Sequence, residues 1–476
     1  MQKRTFIRKY VEAVDKGNAA IFAGAGLSMS QGYVSWSKLL EEAAIDIGLD
    51  IEIETDLVTL AQYYKNKQGG TRGLINQMIT EEFGTKLKIS ENHKILASLP
   101  IETYWTTNYD HLIEDSIRQA YKNPSVKTNY TQLAQTMPSV DATVYKMHGD
   151  VEDVSKTVIT RDDYEQYDNE TYTLFKETLK GDLLTKTFLF LGFSFTDPNL
   201  DRILADIRWV LKDSQRPHYC IMKKIKEEDF PTKHGGFDAD KYSYEKIKRK
   251  LQINDLQRFS INILEVDAYS DITDILKEIR KEYLKKTIFI SGSAVDYSPF
   301  DDKTASQFVE QLAFKLAEKD YRIISGFGLG IGSFVVTGVL KQREEQQRRN
   351  FQDTLVLRPF PQNTKEAWKS YREEMINDSG ISIFLFGNKH GDDGGIVTAN
   401  GMLQEFDISV MQKNTLIPIG YTGGASRQIY DTVKNDFEKY FEKNELLTDF
   451  ELFDLKNTEK SIEELVDEIV SFIDKI

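Results

Sequence analysis

Only one cysteine, Cys220, occurs among the 476 residues. A lone thiol cannot close an intramolecular disulfide, so a disulfide-stapled fold is excluded and a reducing, cytoplasmic compartment is expected. Cys220 lies in the apolar run HYCIMKK, and this position predicts a role in core packing. No spacing typical of metal ligands is present elsewhere in the sequence, so we expect no bound metal.

Long apolar runs and an excess of positive charge are also absent. No apolar stretch approaches the roughly 18 residues that a membrane-spanning helix needs, so no membrane association is expected. The basic segment 1–17 is too polar for a signal peptide and predicts an amphipathic helix. The formal net charge is −14, which argues against a nonspecific nucleic-acid binder but leaves room for a local basic pocket that takes a small anion.

The chain does contain enough apolar residues for large hydrophobic cores. Apolar residues make up 40% of it, and it has 27 Phe and 23 Tyr. Its length predicts about two to three domains. Short β-branched and aromatic runs alternate with helical patterns, which is typical of parallel sheets with crossover helices. Strands are predicted at 19–23, 102–106, 143–147, 187–192, 217–223 and 260–266, and then at 287–294, 321–325, 354–357, 381–386 and 415–419.

The second series of strands begins after a charged helix at 271–286, so we place a domain boundary near Lys285. The predicted fold class is therefore α/β, with two tandem Rossmann-like parallel-sheet domains at 1–284 and 285–476. Within the first domain, residues 38–98 carry helical patterns and predict a small helical accessory module.

A glycine-rich turn follows the first predicted strand. Ala23 is followed by Gly24, Ala25 and Gly26, and Ser28 adds a hydroxyl group. Glycines at such a turn let the backbone approach a pyrophosphate, whose oxygens can bind free backbone amides. The third glycine of the full dinucleotide-binding fingerprint is missing, so a tight strand-to-helix turn without a ligand has about equal weight.

The segment TTNYD follows the next predicted strand. It places Thr107, Asn108 and Asp110 at the carboxyl end of a strand, where open α/β sheets bind ligands. Alternatively, Asn108 and Asp110 cap the helix that begins nearby, and Asp110 could do both.

His148 follows another buried strand and precedes a glycine. An imidazole has an unperturbed pKa of about 6.5, which suits general-base chemistry near neutral pH. A lone histidine at a strand end is usually structural, so the order of the motifs is what favours a functional role. Further along, the turn LGFSF supplies Gly192 and Ser194, and Asp197 with Pro198 predicts the start of a helix.

The glycine-rich turn, the Asn-x-Asp strand end and the later His-Gly, in this order, resemble the sirtuin family of NAD-consuming enzymes. The resemblance implies that NAD binds as substrate, with Asn108 and Asp110 lining the nicotinamide-ribose pocket and His148 acting as general base. Thr107 stands where sirtuins commonly have glutamine. The further NAD contacts that the resemblance implies are Ala23, Gly24, Ala25, Gly26, Ser28, Thr107, Gly192 and Ser194.

The chain departs from the protein-deacylating sirtuins in its accessory module. Those enzymes carry a four-cysteine zinc ribbon, whereas residues 38–98 contain no cysteine and have helical patterns. This departure weakens the hypothesis of a peptide deacylase. It favours sirtuin relatives that hydrolyse NAD to nicotinamide and ADP-ribose.

The second predicted domain opens with SGSA at 291–294 and continues with the turn SGFGLGIGS at 325–333. Glycines near a helix start leave backbone amides uncovered for an anion. The arrangement resembles the SLOG group of Rossmann-like domains. The PGG-x-GT-x-x-E turn of their phosphoribohydrolase relatives is missing, which implies a binding domain and not a second catalyst. The residues implied in signal binding are Ser291, Gly292, Ser293, Gly328, Leu329, Gly330, Gly332, Ser333, Arg358, Phe360, Tyr371, Arg372 and Glu405.

In that set, Arg372 is expected to bind a phosphate and Glu405 to bind ribose hydroxyls or orient Arg372. The alternative is that both are ordinary exposed helix charges.

A sirtuin-like domain followed by a SLOG domain resembles the Thoeris family of anti-phage effectors. The resemblance implies that a cyclic ADP-ribose isomer, made by a partner TIR-domain enzyme, activates NAD cleavage and so depletes cellular NAD. It also implies a homo-oligomer, a tetramer or larger. Two alternatives stay open: a catalytically silent sensor or scaffold that binds NAD or ADP-ribose, and a protein deacylase.

Overall fold

The computed structural model describes residues 1–476 except for 55, 167–169, 196, 233–235, 348–353, 362–366, 442–443 and 455–459. The chain divides into two units, Met1–Arg280 and Lys281–Ile476. The division falls inside a helix that ends at Leu284, the last residue of the first predicted domain.

One parallel sheet forms the centre of the first unit. In the described part of this unit its strands are β1 (Ala19–Ala23), β2 (Thr103–Thr106), β3 (Pro124–Lys127), β4 (Ala142–Lys146), β5 (Thr187–Leu191), β6 (His218–Lys223) and β7 (Ile261–Val266). They pair in the order β3-β4-β2-β1-β5-β6-β7, and every pair is parallel. Helices cover both faces of such a sheet, so β1 and β5 are buried along their whole length and, apart from Thr187, are apolar.

The central strands of this sheet end level at one edge. Ala23 at the end of β1 pairs with Thr106 of β2 on one side and with Leu191 of β5 on the other. Thr106 pairs in turn with Lys146 at the end of β4. The loops that follow these strands therefore leave the sheet side by side at its carboxyl edge, the usual ligand-binding edge of an open α/β sheet.

The helices of the first unit are amphipathic where they meet the sheet. The first, α1 (Lys3–Asp15), buries Phe6, Ile7, Tyr10 and Val14 along one side. The other helices are α2 (Ala25–Met29), α3 (Trp36–Leu39), α4 (Glu41–Ile47), α5 (Leu57–Lys67), α6 (Gly73–Phe83), α7 (Glu91–Ser98), α8 (Leu112–Gln119), α9 (Tyr130–Leu133), α10 (Arg161–Gln166), α11 (Glu170–Thr185), α12 (Pro198–Leu211), α13 (Ala239–Gln257) and α14 (Ser270–Leu284).

Helices α3 to α6 form a module between β1 and β2, as the sequence predicts. Their buried apolar residues share one cluster with Tyr109, Leu112 and Ile159. Tyr109 lies in the loop after β2, so the module packs beside the carboxyl edge of the sheet. The buried residues that the module itself contributes are Leu39, Leu40, Ala43, Ala44, Leu60, Ala61, Tyr64, Ile75, Ile79 and Phe83.

The second unit has its own parallel sheet and a separate hairpin. Its strands are β8 (Thr287–Ser293), β9 (Arg322–Ser325), β10 (Leu355–Leu357), β11 (Ile381–Phe386), β12 (Asn388–His390), β13 (Ile396–Thr398) and β14 (Thr415–Pro418). The sheet order is β10-β9-β8-β11-β14, and β12 pairs with β13 in an antiparallel hairpin. Its helices are α15 (Asp302–Glu318), α16 (Gly332–Glu345), α17 (Trp368–Asn377), α18 (Asn400–Met411), α19 (Gly424–Asn435), α20 (Phe437–Tyr440), α21 (Leu447–Phe450) and α22 (Ile462–Lys475).

The predicted α/β fold with two parallel sheets is confirmed. Each strand predicted from the sequence is present, with its ends within one residue of the expected positions. The sequence pattern misses β3, β12 and β13. β3 begins with Pro124 at the edge of its sheet, where a proline is tolerated, and β12 and β13 are short and mostly exposed. No helix of the described residues is long and apolar enough to cross a membrane.

Candidate active site

Four loops meet at the carboxyl edge of the first sheet, after β1, β2, β4 and β5. Hydrogen bonds join them directly. The amide of Gly26 donates to the carbonyl of Gly192 at 2.9 Å, and Nδ2 of Asn108 donates to the carbonyl of Gly24 at 3.1 Å. The structure therefore brings the predicted glycine turn, the Asn-x-Asp segment and the loop after β5 into one cluster.

Asn108 connects the first two of these loops. Besides the carbonyl of Gly24, its Nδ2 donates to Oγ of Ser28 at 3.1 Å, and its backbone amide donates to Oγ1 of Thr106 at 3.0 Å. The side chain is buried, and within the described chain its Oδ1 accepts no hydrogen bond. A buried amide oxygen without a donor is uncommon, and one at a ligand-binding edge can accept from a bound hydroxyl group or water.

Asp110 contacts the start of α8, whose N-cap position is His111, whereas Asn108 makes no such contact in the described chain. Oδ1 of Asp110 accepts from the amide of Leu112 at 3.0 Å, at the start of α8, whereas the Asn108 side chain reaches back to the first loop. Oδ2 of Asp110 is buried, and no donor in the described chain reaches it. One carboxyl oxygen therefore holds the loop, and the other is an acceptor at the edge of the sheet.

The glycines of the first turn are required by close packing of two backbones. A Cβ on Gly24 would lie 2.5 Å from the carbonyl oxygen of Gly192, and a Cβ on Gly26 would lie 2.9 Å from the Cα of Gly192. The amides of these two glycines are used inside the protein, so the predicted contact of the turn with a pyrophosphate would need other amides. The amide of Gly24 donates to the carbonyl of Leu191 at 2.9 Å, and that of Gly26 is taken by Gly192.

The other predicted NAD contacts differ in their exposure. Ala23 and Ser28 are buried, Ala25 and Thr107 are half-buried, and Ser194 is exposed. The Ser194 carbonyl accepts from Nε2 of Gln252 on α13 at 2.9 Å. Ser194 therefore lies further out than the cluster around Asn108.

His148 is buried among side chains from three other elements. Its Nε2 lies 3.0 Å from Oδ2 of Asp197, just before α12. Its ring centroid lies 5.9 Å from that of Trp36 on α3 and 5.7 Å from that of Tyr164 on α10. Sequence reasoning missed these three neighbours, because nothing local shows that their elements converge on the end of β4.

Asp197 does fulfil the role that the sequence predicts for it. Its Oδ1 accepts from the amide of Leu200 at 3.0 Å and so caps α12, which begins at Pro198. The same carboxylate reaches His148 through its other oxygen. The only sequence signal for the second contact is the position of Asp197 shortly after a strand that ends at the same sheet edge.

A buried ammonium group ties the loop after β2 to the loop after β4. Nζ of Lys146 donates to the carbonyls of Tyr109 and Asp110 at 3.0 and 2.7 Å. It also lies 3.1 Å from a carboxylate oxygen of Glu114 and 2.5 Å from one of Asp150. Lys146 thus holds the backbone around Asp110 against the segment that carries His148.

The positive charge of Lys146 is compensated by a carboxylate within the site. Burial alone would lower the pKa of Lys146, but the Glu114 and Asp150 carboxylates raise it. Burial raises the pKa of Asp150, yet the hydrogen bond to His111 and the Lys146 charge bring it down to about 2. Burial keeps the pKa of Glu114 above its usual value in spite of Lys146. Lys146 and Asp150 are therefore an ionised pair at neutral pH.

His111, Asp150 and Glu152 each offer a ligand atom, and these atoms lie within 4.8 Å of one another. Asp150 already binds the Lys146 ammonium and the His111 ring, and Glu152 is exposed. A metal ion here would compete with an ammonium group, so this cluster gives no support for a metal site. The expectation of no bound metal stays a prediction.

In the second unit, a buried polar group connects α17, α18 and β8. Nε of Arg372 donates to Oε1 of Glu405 at 3.1 Å, and Oγ of Ser291 donates to Oε2 of the same carboxylate at 2.6 Å. The Arg372 guanidinium lies 4.7 Å from the ring centroid of Phe360. The alternative that Arg372 and Glu405 are exposed helix charges is wrong, since each is 7% exposed.

The glycine turn of the second unit packs on the end of β8 and on the residue that follows it. A Cβ on Gly292 would lie 2.9 Å from a methyl carbon of Ile331, and a Cβ on Gly328 would overlap the Gly292 carbonyl oxygen. The Ala294 amide donates to the carbonyl of Leu329 at 2.8 Å. In the described chain no acceptor takes the amides of Gly328, Leu329 and Gly330, and the anion nest expected there stays a prediction.

The remaining residues predicted to bind the signal differ in their contacts and exposure. Ser293 donates to the carbonyl of Asn388 at 3.1 Å, and Tyr371 donates to that of Pro359 at 3.3 Å. Arg358 forms an ion pair with Asp378 at 3.2 Å. Gly332 and Ser333 begin α16, with Gly332 buried and Ser333 exposed.

Comparison with known proteins assigns a class to each unit. Residues 102–243 match the SIR2-like domain, and residues 271–476 match the Sir2- and TIR-associating SLOG family. The fold and the site thus define a two-domain protein with a sirtuin-like unit and a SLOG unit.

Full-length relatives identify the family. The chain is 62% identical over 477 residues to the NAD(+) hydrolase ThsA of Enterococcus faecium, covering 100% of this chain and 99% of that protein. It is 49% identical to the NAD(+) hydrolase ThsA of Bacillus cereus strain MSX-D12, covering 98% and 97% of the two chains. It is 40% identical to that of Acinetobacter baumannii strain 532279, covering 100% and 98%. The chain belongs to the ThsA family of NAD(+) hydrolases, as the sequence resemblance predicts.

Gly26→Ala should destabilise the first unit and weaken NAD cleavage together. Its Cβ would lie 2.9 Å from the Cα of Gly192 and force the two loops apart. Overpacking of this kind costs about 1–3 kcal/mol, which chemical denaturation can measure. Gly73→Ala is the matched control, because a Cβ there meets nothing within 4 Å. Equal stability of the two variants would contradict the interlocked loops.

Lys146→Met should destabilise the first unit by about 3–5 kcal/mol, because it leaves the buried Asp150 carboxylate without its cation. The measurement is the free energy of unfolding of this unit. Lys156→Met is the control, since Lys156 forms a surface ion pair with Asp153 and its side chain is 64% exposed. That change should cost about 1 kcal/mol or less. If both variants lost only a similar, small amount of stability, Lys146 would not be the group that holds the loops after β2 and β4 together.

Proposed function

We propose that the first unit hydrolyses NAD to nicotinamide and ADP-ribose, with Asn108, Asp110 and His148 at the reacting centre. The observation that carries the proposal is a pair of buried acceptors, Oδ1 of Asn108 and Oδ2 of Asp110, which no donor in the described chain reaches. The Lys146 ammonium holds their loop beside that of His148. The names of the full-length relatives support NAD as the substrate.

The reaction breaks the C–N bond between nicotinamide and ribose, and positive charge develops on the ribose in an oxocarbenium-like transition state. The Asp110 carboxylate stabilises this charge, and burial strengthens the effect because water does not screen it. The Asn108 amide is fixed by its two donor contacts, so Oδ1 accepts a hydrogen bond from the attacking water. His148 takes the proton from that water or from a ribose hydroxyl.

In this proposal the glycine turn binds the pyrophosphate, but not through the amides of Gly24 and Gly26. The amides of Gly24 and Gly26 are engaged inside the protein, whereas no acceptor in the described chain takes the amide of Ala25 at the start of α2. We assign the backbone contact to Ala25 and the hydroxyl contact to Ser28. The list of assigned NAD contacts is completed by Ala23, Thr107, Gly192 and Ser194.

His148→Ala and Asn108→Ala should each lower the rate of nicotinamide release by roughly 10²–10⁴-fold, the usual contribution of general acid–base groups. Circular dichroism should show that both variants fold. If the wild-type protein binds NAD without releasing nicotinamide, it is a silent sensor. If nicotinamide release depends on an added acyl-lysine peptide, it is a deacylase.

We infer that the second unit binds a cyclic ADP-ribose isomer and that binding activates the first unit. The Arg372 guanidinium is held by Glu405 and lies over Phe360, so it is oriented in advance for a bidentate contact with a phosphate. The amides of the 328–330 turn offer a second anion contact. The description of the matching SLOG family as TIR-associating supports a TIR-domain enzyme as the source of the signal.

The biological role proposed for this activity is anti-phage defence. A signal made during infection switches on NAD cleavage, and NAD depletion in the cytoplasm stops host and phage together. Such control needs only a ligand that favours the active state by a typical coupling of about 1–3 kcal/mol. We place the switch in a homo-oligomer, a tetramer or larger, which sedimentation with and without signal would test.

Arg372→Lys should abolish or strongly weaken signal-stimulated NAD cleavage and leave basal cleavage unchanged. Lysine keeps the positive charge beside Glu405 but loses the planar group that lies over Phe360. The measurement is nicotinamide release against titrated cyclic ADP-ribose isomers. Lys369→Ala is the control, because Lys369 is exposed one turn earlier on α17. Activation of the lysine variant at the wild-type signal concentration would move the pocket elsewhere.

A further inference from the structure

The buried neighbour of His148 is the carboxylate of Asp197. Nε2 of His148 and Oδ2 of Asp197 are 3.0 Å apart, with side chains 2% and 8% exposed. The Tyr164 hydroxyl donates to the same Oδ2 at 3.1 Å, and the Leu200 amide donates to Oδ1 at 3.0 Å. Each oxygen of the carboxylate therefore has a partner that fixes its direction.

The fold explains why this carboxylate stays in one place. The chain leaves β5 at Leu191, which is level with the end of β1, and turns at Gly192 with φ +63°. Asp197 then caps α12, so its Cα and its Oδ1 are fixed by the first turn of a helix of fourteen residues. A capping carboxylate has a second oxygen that the helix does not use, and here that oxygen points to the imidazole.

We propose that Asp197 is the positioning residue for His148 in the reaction. It sets the orientation of the imidazole and stabilises the imidazolium that forms when His148 takes a proton from the attacking water or a ribose hydroxyl. The proton stays on the ring, and Asp197 remains ionised throughout, as in other carboxylate–histidine pairs. This inference rests on the proposed role of His148 as general base.

The charge state of Asp197 agrees with this role. Burial alone would raise the pKa of Asp197, but the adjacent His148 and the hydrogen bonds from Leu200 and Tyr164 lower it below its usual value. A buried anion that stays ionised at neutral pH stabilises a neighbouring positive charge strongly, because little water screens the pair.

The other groups around the imidazole cannot replace this carboxylate. Tyr164 on α10 contributes a hydroxyl that donates to Asp197, and Trp36 on α3 contributes an indole ring. On the element of His148 itself, Lys146 and Asp150 are paired with each other. Among the contacts described for the imidazole, Asp197 supplies the negative charge.

If Asp197 acted only as a helix cap, asparagine could replace it, because asparagine caps helices about as well as aspartate. Asp197→Asn therefore keeps the helix start and removes only the charge. In the full-length protein it should lower kcat by roughly 10²–10⁴-fold with a much smaller change in KM. The acid limb of the kcat/KM profile should move to lower pH, because the pair without its anion holds a proton less tightly.

The matched control is Asp201→Asn. Asp201 lies in the first turn of the same helix and its side chain is exposed, so this change removes a similar helix N-terminal charge and leaves the Asp197 carboxylate in place. Its rate and pH profile should equal those of the wild type. Tyr164→Phe removes one hydrogen bond to Oδ2 and should give an intermediate loss of rate.

A readout that needs no activity separates this inference from the proposed function. In protein with isotope-labelled histidine, the His148 resonances are assigned by their loss in His148→Gln and followed against pH. In Asp197→Asn they should change at lower pH than in the wild type. An unchanged titration together with a wild-type rate would reduce Asp197 to a helix cap. A shifted titration in a protein whose His148→Ala variant still cleaves NAD would keep the pair and overturn the proposed base.

Discussion

The candidate active site depends on the Lys146 ammonium. It binds the carbonyls of Tyr109 and Asp110 and forms an ion pair with Asp150, so one buried charge joins the loops after β2 and β4. Burying an ammonium costs several kcal/mol in desolvation unless its partners are complete. Apolar side chains of similar volume would avoid that cost, but they could not hold two backbone carbonyls. The network therefore favours a defined loop geometry over maximal stability.

The sequence predicts the sheets well because burial on both faces of a parallel strand leaves a continuous apolar run. It also predicts that Asn108, Asp110 and His148 lie just after strands that end at the carboxyl edge, whereas their roles in a site come from the order of the motifs and stay predictions. It does not predict Trp36, Tyr164 or the second contact of Asp197. Those depend on the order β4-β2-β1-β5, which brings strands far apart in sequence together, and on helices that fold back over the sheet. Local periodicity contains no information about that order.

The second unit shows the same limit for charged residues. Arg372 and Glu405 lie on α17 and α18, and nothing in either helical pattern distinguishes a buried pair from two surface charges. The structure shows that both side chains are buried, and burial of a carboxylate costs free energy. Burial raises the pKa of Glu405, although Ser291 and Arg372 counter the effect. Because the carboxylate keeps Arg372 in place, less side-chain freedom would be lost if the guanidinium bound an anion.

The glycines of both units have a common physical reason that differs from the one their spacing suggests. Gly26 lies against Gly192 in the first unit, and Gly328 lies against Gly292 in the second. In the first unit the turn after β1 packs backbone to backbone on the loop after β5, and in the second unit the turn after β9 packs on the end of β8. A dinucleotide fingerprint requires glycine where a ligand approaches, whereas here glycine is required where two backbone segments meet. The missing third glycine is therefore no argument against nucleotide binding. A nucleotide would bind the amides that this packing does not use, which are those of Ala25 and of the 328–330 turn.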